Sequence, residues 1–128
     1  MTLDWLTAFL PLGGEQRKTI EISGKPVEVV CTRRAWRALA RRRQPLVVEM
    51  ELAFACFARK TVRFHEQLPD CELTYVTDKL AVYAHAVIPD HCETSQAASG
   101  SRVEAGRFVP KRLWIDFKKG QWTGEYGL

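Results

Sequence analysis

The chain has 128 residues, of which 46% are hydrophobic, 27% charged and 10% aromatic. This composition predicts one soluble globular domain over residues 1–128, and it excludes a wholly disordered chain, a collagen-like chain and a coiled-coil rod. The net charge is +4, and no apolar run is long enough to predict a transmembrane segment.

The positive charge is concentrated in one part of the chain. Residues 17–43 hold nine Lys and Arg against two Glu, a net of +7. Residues 1–16 sum to −2 and residues 44–128 to −1. A concentrated positive field attracts anions such as nucleic acid, acidic protein surfaces, lipid headgroups or phosphorylated ligands.

The N-terminal stretch MTLDWLTAFLP is apolar and lacks the basic start of a secretory signal. It predicts a short N-terminal helix or arm, ended by Pro11, that packs on the domain or docks on a partner subunit. Trp5 is its candidate interface residue, because an exposed Trp often anchors an interface.

Residues 18–31 predict a hairpin, since apolar and polar residues alternate on both sides of a glycine. A two-residue turn at 24–25 sets Ile22 opposite Val27.

Residues 32–43 predict a basic amphipathic helix with Thr32 as its N-cap. Trp36 and Leu39 lie on the stripe that we expect to dock on the domain. The opposite stripe carries guanidinium groups, from Arg33, Arg34, Arg37 and Arg41.

Residues 46–66 fit two interpretations. Alanine content favours a helix, whereas the Val47-Val48 and Thr61-Val62 pairs favour strands. We predict strand, turn and strand.

Two further hairpins are predicted at 72–88, with a turn at 78–79, and at 112–126, with a turn at 119–120. Residues 93–107 carry little apolar bulk and predict a flexible loop between them. The register of the last hairpin pairs Phe117 with Trp122, Ile115 with Gly124, and Leu113 with Tyr126.

These elements predict an α+β fold. We expect a mostly antiparallel sheet of about five to eight strands, with one face covered by the long helix at 32–43 and by the short N-terminal helix or arm.

The arginine stripe is the strongest functional feature of the sequence. Arg binds phosphate and carboxylate through two parallel hydrogen bonds and stays charged at every physiological pH. Arg33, Arg34, Arg37 and Arg41 are therefore candidate anion-binding residues, and a solvated basic surface is the simpler interpretation of the same pattern. Trp114, on the polar face of the last hairpin, is a second candidate interface residue.

The candidates for metal or catalytic chemistry lack a diagnostic spacing, so we expect no catalytic residue, metal or cofactor. Glu49 and Glu51 face the same way on a strand, as a pair of acid–base carboxylates requires. A metal or nucleophile site would draw on the histidines and cysteines between 65 and 92: His65, Cys71, His85, His91 and Cys92.

The four cysteines, Cys31, Cys56, Cys71 and Cys92, form no tight framework, which indicates a reducing compartment and a cytoplasmic protein. Whether Cys71 and Cys92 pair is left open. The first hypothesis is a non-catalytic binding or interaction module that meets an anionic partner, acidic protein or nucleic acid, through its basic helix. The alternatives are a small enzyme or metal-binding protein that uses the Cys and His groups around 65–92, and a structural subunit of a homo-oligomer.

Overall fold

The computed structural model describes residues 15–54, 57–89, 102–106 and 108–128. These residues form nine strands and one helix. In chain order they are β1 (Gln16–Ile22), β2 (Lys25–Cys31), α1 (Arg33–Ala40), β3 (Leu46–Phe54), β4 (Ala58–His65), β5 (Thr74–Thr77), β6 (Leu80–Pro89), β7 (Arg102–Gly106), β8 (Arg112–Lys118) and β9 (Gln121–Gly127).

The strands form two sheets. Sheet A has the order β1-β2-β8-β9, and sheet B has the order β4-β3-β6-β5 with β7 also paired to β6. Each sheet contains one parallel pair, β2 with β8 and β3 with β6, among antiparallel neighbours. The predicted α+β fold, with one mostly antiparallel sheet and a long helix, is therefore wrong: the described residues are mostly β, in two mixed sheets.

The error arises from pairings between segments that lie far apart in sequence. Val29 pairs with Leu113, and Leu46 pairs with Leu80. Hairpin signals are local, whereas nothing in a single strand's alternation identifies a distant parallel neighbour.

One hydrophobic core lies between the two sheets. Sheet A contributes Val27, Val29, Leu113 and Ile115, and sheet B contributes Val48, Met50, Leu80 and Val82. Gly124 on β9 permits the close approach to β4, because a Cβ there would lie 3.1 Å from the Phe64 ring and 3.0 Å from the Trp114 carbonyl oxygen.

The helix is shorter than the predicted 32–43. It begins at Arg33 and ends at Ala40, because the N–H groups of Arg41 and Arg42 donate to carbonyls three residues back and tighten the last turn. Thr32 is the N-cap, as predicted. The predicted N-terminal helix or arm, with Trp5, lies outside the described residues.

The strand–turn–strand prediction for 46–66 is confirmed by β3 and β4. The hairpin over 72–88 is confirmed by β5 and β6, and the register predicted for 112–126 matches that of β8 and β9. Within the predicted loop 93–107, the described residues 102–106 form β7 and pair with β6.

The first hairpin has a different register from the predicted one. Its turn residues are Ser23 and Gly24, both with positive φ (54° and 81°), so Ile22 lies opposite Lys25 rather than Val27. Positive φ at both central residues is the geometry of a type I′ turn, whose twist suits a two-residue hairpin. The slip is by two residues, which keeps each side chain on its predicted face.

Candidate functional site

The first turn of α1 is fixed to sheet A by a chain of hydrogen bonds. Ala35 N–H donates to the Thr32 hydroxyl oxygen (3.2 Å), and that hydroxyl donates to Asp116 Oδ1 on β8 (2.6 Å). Ala35 and Leu39 are buried against the core. The helix is thereby held with its opposite side in solvent.

The solvent side of α1 and its C-cap residue carry the arginine ridge, which we define as Arg33 and Arg37 on the helix and Arg41 at the C-cap. These residues are spaced four apart, so each follows the last by about 6 Å along the helix axis. All three are exposed, and none forms an ion pair with another residue in the described part of the chain.

Arg34, the fourth predicted anion-binding residue, points to the sheet instead. Its Nε and one terminal nitrogen each lie 2.9 Å from an oxygen of Asp116, a bidentate ion pair. The hydrogen bond from Arg34, followed by that from Thr32, holds the pKa of Asp116 well below its usual range. Arg34 therefore anchors the helix, and its charge is already matched.

The other described arginines divide in the same way. Among the ten arginines whose side chains are described, five lack an ion-pair partner in the described residues, and four of these lie between 33 and 43: Arg33, Arg37, Arg41 and Arg43, with Arg59 the fifth. Five are ion-paired: Arg17, Arg34, Arg42, Arg63 and Arg112. Unmatched guanidinium charge is thus concentrated on and just after α1.

Trp114 lies on the outer face of sheet A, with 39% of its surface exposed. The Arg112 guanidinium stands over its ring, 5.4 Å from the ring centre. The indole lines a cleft of about 320 Å³ together with Thr32, Asp116 and Glu125. This cleft adjoins the anchored first turn of α1, and the three ridge arginines do not line it.

A second constellation, which sequence analysis did not assemble, lies on the outer face of sheet B. Glu49 and Glu51 of β3 lie between Arg63 and His65 of β4 and His85 of β6, and we call these five residues the carboxylate–histidine cluster. Both carboxylates are on the face away from the core, yet Glu49 is only 7% exposed and Glu51 only 4%.

The contacts within the cluster are short. Glu49 lies 2.8 Å from Nε2 of His65 and 2.6 Å from Nε2 of His85, on different carboxylate oxygens. Arg63 spans the two glutamates and donates to an oxygen of each at 3.3 Å. The buried carboxylates are therefore compensated by an arginine and two imidazoles.

The electrostatics of the cluster follow from burial and these contacts. Burial raises the pKa of Glu49, but hydrogen bonds from His85 and His65 and the charge of Arg63 outweigh it, so its pKa lies below the ordinary value. Burial and the Glu49 carboxylate raise the pKa of nearby Tyr83 to about 12. Glu49 is thus ionised and Tyr83 protonated at neutral pH.

The cluster has an opening to solvent. His65 and Tyr83 line a cleft of about 490 Å³ whose other wall is the segment 66–69 that follows β4. The side chains of Arg63 and His65 are 42% and 39% exposed. Of the five cluster residues only His65 lines this cleft, so a small ligand there would contact the cluster through the His65 imidazole.

Of the four cysteines, Cys31 and Cys71 lie within the described residues. The Cys71 thiol is free, and burial together with the charges of Asp70 and Glu49 raises its pKa, which opposes a nucleophilic thiolate. Cys31 is a buried free thiol whose pKa burial raises to about 12. His91 and Cys92 lie outside the described residues.

One signal for the cluster was present in the sequence. The alternation of β3 shows that Glu49 and Glu51 share a face, which is what the structure shows. That His85 joins them depends on the parallel pairing of β3 with β6, which places it opposite Glu51. No local pattern predicts that pairing.

The chain matches no protein-family model, and comparisons with curated proteins and with solved structures find no match either. Among the described residues, no helix is both long and apolar enough to span a bilayer.

Proposed function

We propose that this protein is a non-catalytic binding module whose arginine ridge meets an anionic partner. The observation that carries the proposal is that Arg33, Arg37 and Arg41 project from one helix face, one turn apart, without an ion-pair partner in the described residues. Three adjacent unmatched cations repel one another, and an anion that contacts all three relieves that repulsion.

The contrast with the neighbouring arginines supports this proposal. Arg34 is bound by Asp116 and Arg42 by Glu66, so acidic groups were available to the same segment. The ridge lies on the side of α1 that these acids do not reach. An external anion can therefore bind it without breaking an ion pair within the described fold.

The spacing favours an acidic protein surface over nucleic acid. Glutamates at every fourth position of a partner helix recur about every 6 Å, the same repeat as the ridge. Binding to single-stranded nucleic acid generally adds aromatic rings that stack on bases. The one aromatic residue of α1, Trp36, is half-buried and packs against the core.

The experiment compares poly-L-glutamate and a short duplex DNA as labelled probes. A triple variant, Arg33→Ala with Arg37→Ala and Arg41→Ala, removes the ridge. We expect it to bind poly-glutamate at least about tenfold more weakly than the wild type, and wild-type binding to weaken steeply with added salt.

A charge-matched control separates the ridge from net charge. Lys25→Ala, Arg59→Ala and Lys118→Ala together remove three exposed cations from elsewhere. The proposal fails if neither probe binds, or if both triple variants lose the same affinity. Tighter binding of duplex DNA, with the same dependence on the ridge, would identify the partner as nucleic acid.

The setting we propose is the reducing cytoplasm, supported by the free thiols of Cys31 and Cys71. Self-association is a second candidate, favoured by the exposed ring of Trp114 on the outer face of sheet A. Light scattering of the free protein in the binding buffers reports its oligomeric state directly.

A further inference from the structure

We propose that the carboxylate–histidine cluster is a binding site for a divalent first-row transition-metal ion, with Glu49, Glu51 and His85 as its protein ligands. The proposal is independent of the arginine ridge, which lies on a different element.

Burial of the two glutamates is the first argument. A carboxylate is among the side chains least often buried, because it must be removed from water. Two of them lie here side by side on the face of β3 that points away from the core, where well-packed apolar residues could fill the same buried positions without the loss of hydration. A cation that needs convergent carboxylates is a physical reason to keep both.

Convergence of the donor atoms is the second argument. One donor atom each from Glu49, Glu51 and His85 lie within 4.8 Å of one another. Nε2 of His85 is 2.6 Å from Oε2 of Glu49 and 3.9 Å from Oε2 of Glu51. Ligand atoms about 2.1 Å from one metal are separated by about 3.0–3.4 Å, so donor atoms up to 4.8 Å apart would approach one another by about 1.5 Å to form the site.

The remaining cluster residues would orient these ligands. His65 contacts Oε1 of Glu49, and Arg63 donates to Oε1 of Glu51. These two contacts are with the oxygens that do not face His85, as expected of outer partners that fix a carboxylate ligand. Arg63 also donates at 3.3 Å to Oε2 of Glu49, which does face His85, so a bound metal would replace that hydrogen bond. Arg63 leaves the pair of glutamates with one net negative charge, which still favours a divalent cation.

The donor set selects the class of ion. One imidazole nitrogen with two carboxylate oxygens suits borderline ions such as Zn²⁺ and Fe²⁺ better than Ca²⁺ or Mg²⁺, which prefer oxygen alone. Three protein ligands would leave a coordination position for water or a small ligand.

The test is calorimetric titration of the full chain with Zn²⁺, together with visible absorption of Co²⁺ as a probe of coordination. We expect one Zn²⁺ per chain, Co²⁺ bands that Zn²⁺ displaces, and no displacement by excess Mg²⁺. His85→Gln retains a side-chain donor that can reach Glu49, and we expect it to weaken Zn²⁺ binding at least about tenfold. Glu51→Gln should weaken it similarly.

The matched control is Glu21→Gln, an exposed glutamate on β1 that should leave Zn²⁺ binding unchanged. Circular dichroism establishes that each variant is folded before its Zn²⁺ affinity is compared with that of the wild type. Absence of Zn²⁺ binding by the wild type, or equal binding by folded His85→Gln and wild type, would overturn the proposal and leave the cluster as an internal ion-pair network.

Discussion

The charged groups of the arginine ridge are exposed to water, whereas those at the centre of the carboxylate–histidine cluster are buried and paired. The ridge places three cations in water, two on the eight-residue helix α1 and one at its C-cap, and leaves them without ion pairs in the described fold. The cluster places two carboxylates almost out of water and surrounds them with Arg63, His65 and His85. Water solvates the first set, and side chains replace water around the second.

This difference shows which charges the fold depends on. Solvated charges are screened and contribute little to folding, so the ridge can be changed freely. Charges that have lost their hydration need their partners, and removal of one partner leaves the others uncompensated. The ridge should therefore affect binding with little effect on stability, whereas the cluster should affect stability strongly.

The largest expected effect is at the centre of the cluster. Glu49→Ala removes the acceptor of both histidines and one of the two acceptors of Arg63. We expect it to lower the free energy of unfolding by about 3 kcal/mol, measured by urea denaturation at neutral pH. Glu21→Ala, on an exposed strand position, is the control and should cost less than about 0.5 kcal/mol. An equal loss of unfolding free energy in both variants would show that burial does not distinguish Glu49 from Glu21.

An intermediate effect is expected where α1 is anchored to sheet A. Asp116 accepts from Thr32, Arg34 and the Phe117 N–H, and Asp116→Asn removes its charge. We expect a loss of about 1–2 kcal/mol at pH 7, because hydrogen bonds to charged groups are the stronger ones. Glu125→Gln on β9 is the control and should change stability little.

The pH dependence of this variant sharpens the same prediction. The pKa of Asp116 in the folded protein lies below its ordinary value of 3.8, so its contribution is fully present above that value and is lost as the pH falls below it. The gap in unfolding free energy between wild type and Asp116→Asn should stay constant from pH 7 to about pH 4 and close at lower pH. If the difference in unfolding free energy between the wild type and Asp116→Asn grew as the pH fell, the ionised Asp116 carboxylate would not be what stabilises the fold.

The smallest expected effect is that of the ridge on stability. The triple variant Arg33→Ala, Arg37→Ala and Arg41→Ala replaces exposed residues by the best helix former and relieves repulsion among like charges. We expect its unfolding free energy to lie within about 0.5 kcal/mol of the wild type, measured by the same urea titration. A large loss of unfolding free energy would mean that the ridge supports the fold, as the carboxylate–histidine cluster does.

Much of the local structure could be predicted from the sequence. Alternation placed Val48 and Met50 on one face of β3 and Glu49 on the other, and the Val47-Val48 and Thr61-Val62 pairs favoured the strands β3 and β4 over the alternative helix. The Lys119-Gly120 turn set the register of the last hairpin correctly. The turn predicted at 24–25 was wrong by one residue. Positive φ at both Ser23 and Gly24 places the turn at 23–24, which moves the register of the hairpin by two positions.

The sequence by itself determined the concentration of positive charge at 17–43, the capped basic helix, and which side chains face the core, because helical and strand periodicities are properties of neighbouring residues. The tertiary structure decided what lies beside each element: β2 beside β8, β3 beside β6, Arg34 on Asp116 and His85 against two buried glutamates. These contacts join residues that are from 34 to 84 positions apart in the chain. Only closure of the two sheets on a common core brings such residues together, and no local pattern encodes that closure.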